Sequence, residues 1–165
     1  MITISEATVA DLKTIQAIAY KTWPIAYGEI LSKSQLDYML DAFYSEATLE
    51  DNFTNKGHHF LLIKEDSVCL GFASYEHHYL DKNGTRLHKI YLLPETQGKG
   101  AGKLLLDAVE NLAKANHSDF VSLNVNRFNK ACAFYQKMGF EIVAEENIEI
   151  GLGYLMEDYR MEKNI

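Results

Sequence analysis

Three glycines fall within five residues, at Gly98, Gly100 and Gly102, between a strand-like run (Leu87 to Leu92) and a helix-like run (Leu104 to Ala115). Glycine lets the main chain turn tightly and lets a ligand approach the backbone closely. The first N–H groups of the following helix have no partner inside it, and its positive dipole end faces back to the turn. Strand, glycine-rich turn and helix N-terminus together make an anion cradle suited to phosphate.

Two common phosphate-binding patterns do not fit. A nucleotide P-loop places four residues between its first glycine and a Gly-Lys-Ser/Thr. Here three residues separate Gly98 from Gly102, and Lys103 is followed by Leu104, which has no hydroxyl for magnesium. A dinucleotide fingerprint reads Gly-x-Gly-x-x-Gly on the first strand of a βαβ unit. This chain has Gly-x-Gly-x-Gly, behind several earlier elements.

At 165 residues the chain has the length of one domain, expected to span residues 1–165. No run of 18 apolar residues is present, which predicts no membrane partner. The start, Met1-Ile2-Thr3-Ile4-Ser5-Glu6, lacks the charge and apolar run of a signal peptide. Cys69 and Cys132 form no Cys-x-x-Cys pair, which suits a reducing, cytoplasmic compartment. A net charge of −7 argues against nucleic acid, whose phosphates require clustered Lys and Arg, and favours a cationic partner.

The periodicities set the element order. Residues 2–4 alternate like a strand. Thr8 and Asp11 mark a helix start, and Leu12, Ile15, Ile18, Ala19 and Trp23 recur at helical spacing until Pro24 closes the run. A loop over 24–31, a helix over 34–44 and a short helix from Thr48 follow. Runs over 58–64 and 68–75 predict an antiparallel hairpin, and Asn83-Gly84 a turn into a strand over 85–93. Leu104, Leu105, Ala108, Leu112 and Ala115 form a helical stripe. A strand over 120–126, a helix over 129–138 ending at Gly139, and strands over 140–145 and 154–161 complete the chain. The strand–helix–strand around the glycine-rich turn predicts a parallel crossover, and the hairpins predict antiparallel neighbours. The expected fold is a single α/β domain with a mixed, mostly antiparallel sheet.

Gln97-x-x-Gly100-x-Gly102 resembles the acyl-CoA pyrophosphate signature of the GNAT superfamily of N-acetyltransferases. Ile90-Tyr91-Leu92 before it and Leu123-Asn124-Val125-Asn126 after its helix stand where that family has its two central strands. Asn129-Lys130-Ala131-Cys132-Ala133-Phe134-Tyr135-Gln136-Lys137-Met138-Gly139-Phe140 is similar to the family's last helix, opened by Asn and carrying Phe-Tyr-x-Lys-x-Gly-Phe. The resemblance implies a GNAT-like sheet with helices on both faces and a splayed parallel strand pair. The splay exposes main-chain groups to which the pantetheine arm of acetyl-CoA pairs, as an added strand would.

The resemblance also implies roles. Main chain at Ile90, Tyr91 and Leu92 holds the pantetheine arm, and Leu92 N–H polarises the acetyl carbonyl. Gln97, Gly98, Lys99, Gly100, Ala101, Gly102 and Lys103 bind the pyrophosphate, and Asn129 bonds the arm. Tyr135 is the acid that protonates the leaving thiolate. Several members carry a general-base Glu at the position of Arg86, and others at that of Asn124, so this chain lacks both. Glu76, His77, His78, His88 or a water chain are the candidates. No metal is expected, because the neighbours in His58-His59 and His77-His78 point to opposite faces of a strand and no zinc-type Cys spacing occurs.

Trp23-x-x-x-Tyr27-Gly28, Leu36-Asp37-Tyr38-Met39 and the C-terminal Asp158 to Lys163 are similar to the PaiA-type branch of spermidine/spermine acetyltransferases. Trp23, Tyr27, Glu29 and Glu76 are the substrate-binding candidates that branch implies, with Asp37 and Asp41 as further carboxylates for a polyamine. The expected activity is transfer of acetyl from acetyl-CoA to a primary amine, a polyamine or similar small amine, by direct attack. Peptide or protein acetylation, or a CoA-binding regulator with vestigial activity, are the alternatives, and the sequence leaves the oligomeric state open.

Overall fold

The computed structural model describes all residues, 1–165. β1 (Ile2–Glu6) leads through a 3₁₀ turn, capped by Thr8 and Asp11 in a capping box, to α1 (Leu12–Tyr27), α2 (Lys33–Tyr44) and α3 (Glu46–Thr54). Ser32 and Ser45 cap α2 and α3, each accepting from the backbone N–H three residues on. β2 (His59–Glu65), β3 (Val68–His77) and β4 (Gly84–Leu92) form an antiparallel meander. α4 (Ala101–Ala115), β5 (Phe120–Asn126), α5 (Ala131–Lys137) and the hairpin β6 (Glu141–Gly151) and β7 (Tyr154–Asn164) complete the chain. One sheet runs in the order β1-β2-β3-β4-β5-β7-β6, and β4–β5 is its parallel pair. No helix is long and apolar enough to cross a membrane.

The centre of the sheet is buried on both faces, and β2 shows why its apolar run is continuous. Leu61 and Ile63 pack under α4 with Leu105, Leu106, Val109 and Ala113. Phe60 and Leu62 point the other way, to α1–α3, with Ile15, Trp23, Leu40, Tyr44 and Leu49. Each fully buried side chain of this size contributes about 1.5–3 kcal/mol.

Two expectations change. Pro24 does not end α1, which continues for another turn to Tyr27. Proline deprives the Tyr20 carbonyl of its donor, but Tyr20 and Pro24 both lie on the exposed face, where water replaces the lost bond. The buried stripe of α4 is also rolled from the expected one: Leu105, Leu106, Val109 and Ala113 face the sheet, whereas Leu104 is 42% exposed. Gly102 lets the first turn of the helix sit close to Leu92 at the end of β4. Glu110 lands on the buried side and pairs with Lys163 at 2.6 Å.

A β-bulge interrupts β3–β4. Ser74 pairs with Lys89 and Tyr75 with Leu87, so His88 is the additional residue. Bulges re-aim side chains. Here Lys89 lies over the Tyr44 ring and His88 meets Glu76, while Leu87 joins the α4 core.

Candidate active site

The parallel pair separates partway. β4 and β5 are paired from Gly84↔Phe120 to Leu87↔Leu123, beyond which His88–Leu92 and Asn124–Asn126 border an open gap. Backbone N–H groups alternate in direction along a strand. Leu93 N–H is turned to β3, donating to the Leu70 carbonyl at 2.8 Å. Leu92 N–H is therefore turned into the gap. Ile90, Tyr91, Leu123, Asn124, Val125 and Asn126 line the cavity that opens there.

At the end of β4 the turn Pro94–Thr96 leads to the glycine-rich loop. Gly98 and Gly100 have φ of 80° and 69°, a conformation that costs other residues about 1–2 kcal/mol. A Cβ at either would touch nothing within 4 Å, so backbone conformation, not crowding, calls for glycine there. Gly102 differs: a Cβ would stand 3.3 Å from Leu92 and 3.4 Å from Phe134. The N–H groups of Gly98, Gly100, Ala101, Gly102 and Lys103 find no acceptor in the main chain. Those of Gln97 and Lys99 are turned inward to the carbonyls of Pro94 and Thr96. The Lys99 and Lys103 side chains pair with Glu65 (2.9 Å) and Asp107 (2.6 Å). The loop's positive character thus comes from unpaired amides at a helix N-terminus, a geometry that fits a diphosphate.

Deeper in, the extra turn of α1 sets Trp23 and Tyr27 one turn apart on one face, with ring centroids 4.7 Å apart. The Tyr27 and Tyr91 hydroxyls are 2.9 Å apart. With Phe43 and Tyr44 from α2 these rings wall a cavity of about 400 Å³. Tyr135, 6% exposed on α5, lines the same cavity. Burial pushes its phenol well above the ordinary value, so it keeps its proton at any working pH. Asn129 also lines the cavity, and its side-chain oxygen accepts from Ala131 N–H at 2.9 Å.

The carboxylate missing from β4 and β5 is present on β7. Arg86 Nη1 donates to Asn124 Oδ1 at 2.8 Å, and Asn124 Nδ2 donates to Asp158 Oδ2 at 3.4 Å. Asp158 is 3% exposed and is the single carboxylate lining the cavity. Burial raises its pKa to about 6, against the pull of the Asn124 hydrogen bond. Nothing local in the sequence marks it. In Tyr154–Asn164 it stands among other charged residues, and only the register Asn126↔Asp158 turns it inward.

Two cations line the cavity without a carboxylate partner. Lys89 Nζ lies 4.8 Å from the Tyr44 ring centroid and 5.6 Å from that of Phe60, and it has no salt bridge. Burial lowers its pKa to about 8. Cation–π contact returns about 2 kcal/mol at a desolvated site, less than the several kcal/mol per ion that burial costs. Arg86 lies 4.5 Å from the Tyr79 ring centroid, and its Nε is buried without a partner.

His58 and His88 stack with centroids 4.1 Å apart. His88 Nε2 lies 2.9 Å and His58 Nε2 3.4 Å from one oxygen of Glu76. Burial lowers their pKa values to about 4 and about 3 for His58 and His88, so both are neutral near pH 7. Adjacent histidines on a strand point to opposite faces, but this trio comes from three separate segments and brings its ligand atoms within 4.8 Å. A metal-bound imidazole usually donates its other N–H to an acceptor. His58 Nδ1 is buried with no partner.

Of the substrate candidates, Trp23 and Tyr27 line the cavity. Glu29 is exposed and lies outside its wall, and Glu76 stands behind His88. Asp37 pairs with Lys33 at 2.6 Å on the surface, and Asp41 is exposed. His77 bonds Thr85 at 2.8 Å, and His78 lies 3.3 Å from Asn116, both away from the cavity.

Residues 29–163 match the family model described as an acetyltransferase (GNAT) domain. The uncharacterized N-acetyltransferase YuaI of Bacillus subtilis is 32% identical over 155 residues, 91% of this chain and 86% of that protein. The spermidine N(1)-acetyltransferase of Thermoplasma acidophilum is 28% identical over 146 residues, covering 86% and 89%. Among solved structures, PaiA N-acetyltransferase of Thermoplasma acidophilum in complex with coenzyme A superposes with a TM-score of 0.82. It is 28% identical and covers 100% of this chain and 99% of its own.

Proposed function

The chain belongs to the GNAT acetyltransferase family, and from that premise we propose that it moves the acetyl group of acetyl-CoA to the primary amine of a small molecule, with Tyr135 as acid and Asp158 as base. The observation that carries this is the open gap between β4 and β5, with the unpaired amides of Gly98 and Gly100–Lys103 at one end and Tyr135 and Asp158 at the other. The amides hold the diphosphate. Ile90, Tyr91 and Leu92 pair with the pantetheine arm, helped by Asn129. Acetyl-CoA supplies an activated acyl group as a thioester.

The amine nitrogen forms its bond to the acetyl carbon, and Leu92 N–H holds the charge that develops on the oxygen. Asp158, ionised above about pH 6, takes the amine's proton. The carbon–sulfur bond then breaks, and Tyr135 gives its proton to the departing sulfur. The chain Arg86–Asn124–Asp158 orients the base from the two positions where other members carry a Glu.

A polyamine acceptor is supported by the spermidine acetyltransferase relative and by the rings of Trp23, Tyr27, Phe43, Tyr44 and Tyr91, which suit methylene chains. The wall charges, two cations against one carboxylate, do not favour it. The test is thiol release from acetyl-CoA with spermidine, spermine, monoamines, amino acids and peptides. Turnover of small amines supports the proposal. Turnover of peptides alone moves the assignment to protein acetylation, and tight CoA binding without turnover moves it to a regulator.

A further inference from the structure

Lys89 is the least explained charge in the protein. The chain carries more acidic than basic residues, 23 against 16, and Lys21, Lys33, Lys99, Lys103, Arg127, Arg160 and Lys163 have a carboxylate within reach, while the other lysines without one lie outside the cavity wall. Lys89 has none, although it is held in a cavity wall where a counter-charge would be worth most. Arg86, on the same strand and the same cavity wall, also makes no ion pair. The carboxylate that could have served them, Glu76, is engaged by His88 and His58. The bulge at His88 is what brings Lys89 over Tyr44.

We infer that the acceptor is an amine that also carries an acid group, and that the Lys89 ammonium, aided by the field of Arg86, binds that group while Asp158 meets the amine. This rests on the acetyltransfer reading and names its substrate class. The charges balance. The wall contributes two cations and one carboxylate, since His58 and His88 are neutral. An amino acid in its attacking form, with a free amine and an ionised acid, brings one negative charge. A polyamine instead adds positive charge to a positive wall. Lys89 lies three residues before Leu92, about 10 Å along the strand. That separation suits an acid group a few carbons from the reacting nitrogen, and the rings of Trp23, Tyr27 and Tyr44 provide the apolar passage between. Carboxylate and phosphate share this chemistry, and the test separates them.

The probes are n-butylamine, 1,4-diaminobutane and 4-aminobutanoate, which place a methyl, an ammonium and a carboxylate at one distance from the amine. Glycine through 6-aminohexanoate vary that distance, and O-phosphoethanolamine supplies a phosphate arm. The expected kcat/KM for the best acid amine exceeds that of its matched diamine by about tenfold or more, the scale of one charge-assisted contact. Lys89→Met removes most of that ratio, and Lys89→Arg keeps it. Preference for diamines or spermidine overturns the inference and leaves acetyltransfer standing. A Lys89→Met loss shared equally by all three matched amines also overturns it, placing Lys89 in the chemistry or the packing. If no amine is turned over, the acetyltransfer reading fails, and calorimetry on the CoA-loaded protein decides this inference separately. Lys89-dependent binding of an acid amine supports it, and the absence of such binding overturns it.

Discussion

The two ends of the site are made of different material. The glycine-rich end is main chain: the amides of Gly98 and of Gly100 to Lys103, left without main-chain acceptors, with the neighbouring Lys99 and Lys103 neutralised by Glu65 and Asp107. The acceptor end is side chain: Lys89 and Arg86 from β4 and Asp158 from β7, enclosed by rings from two helices, with charges left without ion-pair partners. A backbone cradle binds what every family member shares. Unpaired buried charges cost stability, persist where they bind or react, and are where members of one family can differ.

If that division holds, damage at each end has its own signature. Asp158→Asn is expected to lower kcat by about a hundredfold or more, the scale of a general base, while calorimetric CoA affinity stays the same. The same change stabilises the fold. Folded Asp158 holds its proton up to about pH 6, against 3.8 for the free side chain. The folded state therefore binds more protons between those values, and stability falls as pH rises through them. The Asn variant loses that slope and melts about 2–4 °C higher at neutral pH.

Tyr135→Phe is expected to lower kcat by about tenfold or more with CoA affinity nearly intact. Unchanged turnover would remove Tyr135 from the acid role. With an acid amine as acceptor, kcat/KM should rise through about pH 6 as Asp158 ionises and fall above about pH 8 as Lys89 loses its proton. A profile flat across both limits contradicts both assignments.

Gly100→Ala tests the other end. Its left-handed backbone makes a Cβ cost about 1–2 kcal/mol, so CoA should bind about fivefold to thirtyfold more weakly, with the order of acceptor preference unchanged. The smallest effect is at Glu29, exposed and outside the cavity wall. Glu29→Gln should leave kcat/KM within about twofold, as surface changes generally do, and a larger loss would extend the acceptor site beyond the enclosed cavity.

The same division governs what could be read from the sequence. The glycine-rich loop, the strand Phe120–Asn126 and the helix carrying Phe134-Tyr135 are local patterns, legible because their chemistry or periodicity is contiguous. Asp158 and Lys89 are not contiguous with anything they serve. Asp158 reaches the cavity through the register of β7 against β5, and Lys89 through a bulge that pattern reading treats as ordinary alternation. Pro24 misled for a different reason: its helix-breaking tendency is local, but an exposed carbonyl tolerates it and α1 supplies Tyr27 one turn further on. Charge and closeness in the chain point to Glu29 and Asp41, but neither lines the cavity.

Backbone amide NMR during a titration with coenzyme A tests the central claim most directly. The amides of Gly98, Gly100, Ala101, Gly102 and Lys103, together with Leu92, should show the largest shifts, with Glu29 and its neighbours still. Saturable binding that leaves those six amides in place, or no binding at all, would contradict the account.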